Sequence, residues 1–288
     1  MSNLIELTNI REDMGLIASW IFQKSPKTQK YYRRVVVDFF KFYPNLNLRT
    51  VNVTHVAVFI KLLKTSDSTK NTYKNAISSL FAFSCKSGYL TFNPTLALQS
   101  IRVPERISSK VLSEEQIQRM IMYSKNKRNE LIIKLFYYTG IRIDELAKLT
   151  TKSFQRNESG CILIVEGKRK KVRSIHIPDW LAEEFYDWIE ELSDGDYLFA
   201  TRNSSLEQDH ISVSQIWRMI KTVARRAKLS VSPSPHWLRH TSATHAIEKG
   251  APIHVVQRSL GHESISTTGK YLDIRPKESV GDYLKKPI

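Results

Sequence analysis

Two cysteines in 288 residues, Cys85 and Cys161, are too few for a disulfide framework and too sparse for a cysteine-rich zinc site. Their scarcity excludes the small disulfide-stapled secreted folds and makes a reducing, cytoplasmic setting the expectation. Glycine and proline are also scarce, at 10 each, which excludes collagen-like and low-complexity disordered chains. No uninterrupted apolar run reaches the roughly 18 residues of a membrane span. The opening MSNLIELTNIREDMG lacks the basic-then-apolar layout of a secretion signal. Acidic residues are in deficit too, with 28 Asp+Glu against 44 Lys+Arg, a formal charge of +16. Such a surplus suits a polyanionic partner, because cations that neutralise phosphates release condensed counterions. Charge alone does not separate nucleic acid from an anionic membrane surface, nor DNA from RNA.

A hydrophobic fraction of 41% is that of an ordinary folded protein, and the length suits two domains. The first hundred residues read as helices. Ser25-Pro26 is an N-cap with proline at the first helical position, followed by Tyr31, Val35, Phe39 and Phe42 at helical spacing up to Tyr43-Pro44. Further helices are predicted over 54–64 and from Ser68 to Gly88, and Asn93-Pro94 opens a short turn or helix. The aromatics follow the buried face and are read as core. SIRVPERISSK, residues 100–110, mixes proline, serine and charge without period, as a linker does. The expected organisation is a helical domain over 1–104, a linker at 105–110 and a second domain over 111–288.

That second domain opens with a capping box at Ser113-Glu114-Glu115-Gln116, and a helix from about Asn129 is stopped by Gly140. Cys161–Val165 and Val172–Ile177 read as strands around the basic tip Glu166-Gly-Lys-Arg-Lys-Lys171, a β-hairpin. Helices are expected after Pro178 and over 211–227, 236–249 and 252–259. The fold class is therefore mainly α with a small β-sheet, α+β.

Four separated words stand out: Thr139-Gly-Ile-Arg-Ile-Asp-Glu-Leu146, Gly167-Lys-Arg-Lys-Lys-Val-Arg173, His236-Trp-Leu-Arg-His240, and Leu260-Gly-His262 with Tyr271 nine positions later. Together they resemble the tyrosine recombinases of the phage integrase family, especially the Xer-like branch. The resemblance implies a helical core-binding domain, then a mixed catalytic domain of the tyrosine recombinase and type IB topoisomerase kind. It implies catalytic roles for Arg142, Lys168, His236, Arg239, His262 and Tyr271, with no metal and no cofactor. It also implies a homotetramer acting on two synapsed double-stranded DNA sites with inverted-repeat cores, through a Holliday junction, and no membrane partner. No arm-binding domain is expected before the first helices, and on that expectation a simple Xer-like or transposon-type enzyme is favoured. Asp144, where the family often has a small residue, is a departure.

The chemistry of these residues fits that assignment. Guanidinium forks match a phosphate and stabilise charge developing on its nonbridging oxygens, which suits Arg142 and Arg239. The Tyr271 phenol, with an ordinary pKa near 10, needs an acceptor for its proton, and His236 is the candidate. Tyr283 is the nearest competitor but lacks the Gly-His word. Lys168 is the expected acid for the leaving 5′ oxygen, with Lys170 or Lys171 the alternatives if the hairpin register differs. His262 would hydrogen-bond the phosphate, and His240 and His245 serve packing. Glu145, one turn beyond Arg142, is expected to bond a catalytic side chain. Lys70, Lys74, Arg169, Lys170 and Lys171 are candidate DNA backbone contacts, with a solvated face the plain reading of the first two. Val280, Tyr283 and Leu284 give residues 276–288 a helical apolar set that docks on another subunit or its own. The rival functions are DNA relaxation of the topoisomerase IB type, a catalytically silent DNA-binding regulator and, on charge alone, an RNA-binding protein.

Overall fold

The computed structural model describes residues 11–101, 110–157, 160–167, 171–201 and 210–261. Lys168, Arg169, Lys170, His262, Tyr271, the tail 276–288 and most of the linker lie outside them. The chain divides into two compact units, Met1–Glu105 and Arg106–Ile288.

In the first unit, helices α1 (Arg11–Phe22), α2 (Pro26–Phe42), α3 (Val53–Leu62) and α4 (Asp67–Lys86) enclose an aromatic core. Extended Ser25 precedes Pro26, whose fixed φ suits a first helical position, and α2 then buries Val35, Val36, Phe39 and Phe40. Tyr73, Ile77, Leu80 and Phe81 line the inward face of α4. Phe42 departs from the expected core, being 44% exposed. Asn93-Pro94 forms a turn rather than a helix. Buried Asp13 accepts hydrogen bonds from the Tyr89 hydroxyl (2.6 Å) and the Leu48 amide (2.7 Å), so one carboxyl ties α1 to two distant loops. Lys74 is buried on α4, whereas the Lys70 ammonium donates to the Lys61 carbonyl at 3.3 Å.

The second unit runs α5 (Glu114–Met122), α6 (Lys127–Thr139), the short α7 (Ile143–Leu146), β1 (Phe154–Asn157), β2 (Gly160–Glu166), β3 (Val172–Ile177), α8 (Asp179–Glu190), α9 (Val213–Arg226), α10 (Pro235–Glu248) and α11 (Ile253–Leu260). The capping box at Ser113 and Gln116 is formed, and Gly140 ends α6 at φ +60°, where a side chain is strained. The expected hairpin is part of a three-stranded antiparallel sheet in the order β1-β2-β3. Cys161, Leu163 and Val165 pair with Ile177, Ile175 and Arg173, so these six side chains share the face turned to the core. Leu131, Ile132, Leu135 and Phe136 of α6 and Leu238 of α10 are buried in the same core. Among the described residues no helix is long and apolar enough to cross a membrane.

Candidate active site

The site grows from the ends of α6 and α11. At Gly140 the chain turns left-handed; an added Cβ there would run into the Leu260 side chain, so the two helix ends approach closely. α11 also ends on a left-handed glycine, Gly261, at φ +63°. A helix C-terminus leaves carbonyls unpaired and carries partial negative charge. Arg239, on α10 and only 4% exposed, answers both ends at once, its guanidinium donating to Gly140 O (2.5 Å) and Leu260 O (2.7 Å). A buried cation is tolerable when its donors are satisfied in this way.

Arg142 stands two residues beyond Gly140, as the cap of α7, and donates through Nη2 to Gly261 O at 2.8 Å. Its Nη1 donates to Glu145 Oε1 at 2.9 Å, while its backbone amide donates to Glu145 Oε2, also at 2.9 Å. Glu145 therefore folds back on the residue that caps its own turn. The Arg142 side chain retains 37% exposure.

Glu145 has a second arginine that the sequence reading assigned no role. Arg173 on β3 donates Nη1 to Oε1 and Nη2 to Oε2, both at 2.8 Å, and its Nε donates to Ser259 O at 3.0 Å. The signal for it was present: an arginine at 173 occupies the inward register of a strand whose next inward residues are Ile175 and Ile177, and a cation there requires a carboxylate partner. Four hydrogen bonds from two guanidiniums and an amide saturate the carboxylate. Burial alone would raise its pKa, but the bonds from Arg173 and Arg142 outweigh burial and hold Glu145 at about 2.

His236 sits in the first turn of α10, one turn before Arg239, with its ring stacked 6.0 Å from that of His240. Desolvation, then the positive charges of Arg239 and Arg142, push its pKa down, against a smaller opposing pull from Asp144. The residue is nonetheless exposed, and the neutral imidazole that results can accept a proton. His245 is buried, its Nδ1 3.0 Å from the Tyr137 hydroxyl. Arg142, Arg239, His236 and Glu145 are thus brought together, with the turn at Gly261 that leads into His262. Lys171 is exposed at the hairpin base, where its carbonyl accepts from the Gly167 amide at 2.7 Å. Among the described residues no cluster of His, Cys, Asp and Glu is arranged to hold a metal ion.

Residues 110–278 match the phage integrase family. The chain is 32% identical over 245 residues to a tyrosine recombinase of Pseudothermotoga lettingae, covering 81% of this chain and 82% of the relative. It is 30% identical over 258 residues to tyrosine recombinase XerA of Thermococcus kodakarensis, covering 87% and 86%. Among solved structures, the XerH site-specific recombinase bound to difH substrate is similar with a TM-score of 0.69 at 21% identity, over 84% of this chain and 75% of that one. A lambda integrase tetramer bound to a Holliday junction is similar with a TM-score of 0.72 at 18% identity, over 92% and 78%. These two likenesses concern the fold. The family match over the second unit and the relatives aligned along most of the chain lead to one conclusion: this protein belongs to the phage integrase family of tyrosine site-specific recombinases.

Proposed function

We propose that the chain exchanges strands between two double-stranded DNA sites with inverted-repeat cores, using Tyr271 as nucleophile. The phenol oxygen attacks the scissile phosphorus, the bond from phosphorus to the 5′ oxygen breaks, and a 3′-phosphotyrosyl ester forms. The phenol proton passes to neutral His236, and Lys168 protonates the departing 5′ oxygen. A 5′ hydroxyl from the partner duplex then attacks the ester and releases Tyr271, so the bond energy is retained without ATP or metal. Arg142 and Arg239 bind the nonbridging oxygens, where charge develops in the transition state, and His262 adds a hydrogen bond. One pair of exchanges makes a Holliday junction and a second resolves it, within a homotetramer working in the cytoplasm. A solved lambda integrase tetramer bound to a Holliday junction is a precedent for that assembly.

The observation that carries this reading is the convergence of Arg142 and Arg239 on the carbonyls of Gly261 and Leu260. In the sequence that turn is followed at once by His262 and, nine residues on, by Tyr271, which supports assigning the clamp and the nucleophile to one site. Lys70 in the first unit and the hairpin cations Arg169, Lys170 and Lys171 in the second would touch DNA phosphates; the +16 charge supports this role. The test uses a nicked suicide duplex, on which a cleaved strand cannot be religated. Wild type is expected to form a denaturation-resistant protein–DNA adduct, and Tyr271→Phe to form none while still binding. An adduct of normal yield from the variant removes Tyr271 from the mechanism.

A further inference from the structure

Three successive carbonyls at the end of α11 each accept from a different arginine: Ser259 from Arg173, Leu260 from Arg239 and Gly261 from Arg142. Arg142 and Arg239 are accounted for by the phosphate clamp. Arg173 has no part in that clamp: both its Nη atoms are committed to the Glu145 carboxylate and its Nε to Ser259 O.

Its effect on Arg142 follows from charge and geometry. Glu145 is 5% exposed, ionised, and within hydrogen-bonding distance of the Arg142 guanidinium. Taken as a pair, Arg142 and Glu145 have no net charge, which would weaken the attraction of the clamp for an anionic phosphate. A carboxylate is also the natural partner for a two-bonded arginine fork, which would turn Arg142 away from substrate. Arg173 already makes that two-bonded fork, one Nη to each carboxylate oxygen. Arg142 is left with a single guanidinium bond to Glu145 and directs Nη2 to Gly261 instead. The trio of two arginines and one glutamate carries one net positive charge. Arg173 further fixes the α11 end through Ser259 and lies on the strand returning from the hairpin that carries Lys168.

We propose that Arg173 is a positioning residue for strand transfer, acting through Glu145 to keep the Arg142 charge directed at the scissile phosphate and through Ser259 to hold the turn at Gly261. This rests on the reading of Arg142 as a phosphate ligand. Residues that support a reacting group are expected to matter through its geometry and charge rather than through contact with substrate.

The experiment compares adduct formation on two suicide duplexes, one with an ordinary scissile phosphodiester and one with a neutral methylphosphonate, which lacks the charge that Arg142 offsets. Relative to wild type, Arg173→Gln is expected to be slower by about tenfold or more on the phosphodiester and by less than about threefold on the methylphosphonate. Comparing two substrates with one preparation cancels any loss of folded protein. If Arg173→Gln does not fold, Arg173→Lys is put through the same comparison, since it keeps the charge but loses the fork. Equal losses on both duplexes, or no loss on the phosphodiester, overturn the proposal while leaving the recombinase reading intact. A wild-type chain that forms no adduct on either duplex overturns both.

Discussion

Replacing Glu145 with glutamine tests the electrostatic centre of the site through stability alone. Glutamine has nearly the shape of a protonated glutamate, so the variant imitates the wild-type protein with this carboxyl neutralised. The folded-state pKa is about 2 against an ordinary value of 4.5, because the bonds from Arg173 and Arg142 outweigh burial. That difference of about 2.5 units corresponds to roughly 3 kcal/mol at 1.36 kcal/mol per unit. A folded pKa below the unfolded one means that the ionised carboxylate contributes its stability in full above about pH 4.5 and loses it as the pH falls towards about 2. Glu145→Gln is therefore expected to unfold with about 3 kcal/mol less stability at neutral pH, a melting temperature lower by roughly 6 to 12 °C for a unit of this size. Below about pH 4.5 the gap between wild type and variant should close by up to about 1.4 kcal/mol per pH unit, because only the wild type titrates there. Urea unfolding of both proteins from neutral pH down to about pH 3.5 measures it. A neutral-pH gap under about 1 kcal/mol, or one that is unchanged between about pH 5.5 and 3.5, refutes the view that Glu145 is an ionised partner of two arginines.

Two further predictions concern the proton transfers. Desolvation and the Arg239 and Arg142 charges lower the His236 pKa, so wild-type adduct formation should persist below the ordinary value of 6.5 and decline only at more acid pH. His236→Ala should lose that acid limb; a wild-type midpoint above 6.5, or an unchanged profile in the variant, removes His236 as the acceptor. With sulfur in place of the bridging 5′ oxygen, the leaving group needs little protonation, so Lys168→Ala should cleave the modified duplex far faster than the ordinary one. No rescue by sulfur assigns the acid to another lysine or to none.

Much of the fold was legible because the signals are local. Proline at the start of α2, the Ser113 capping box before α5 and the glycine stop of α6 each act within about one helical turn. Strand β1 was not foreseen: Phe154-Gln-Arg-Asn is short and mostly polar, and its pairing with β2 makes it a strand. The partial exposure of Phe42 was likewise invisible to periodicity, which marks a face but not how far the neighbouring helices extend over it. Arg173 stood in the open as an arginine in an inward strand register. Its partner could not be named, because Glu145 lies on another element.

Order and spacing of the words around Arg142, Arg239 and Tyr271 were sufficient to indicate the family and the type of reaction, since the residue types that bind and attack a phosphodiester are few. They left open how charged groups with no common local element coexist. That arrangement came from the chain folding α6 and α11 end to end, so that Gly140, Ser259, Leu260 and Gly261 offer carbonyls to three arginines from α10, β3 and the cap of α7. Helix starts and stops depend on neighbours a few residues away, which a sequence displays directly. The ionisation of Glu145 and the direction of Arg142 depend on distances between groups far apart along the chain, and those exist only once the core has closed.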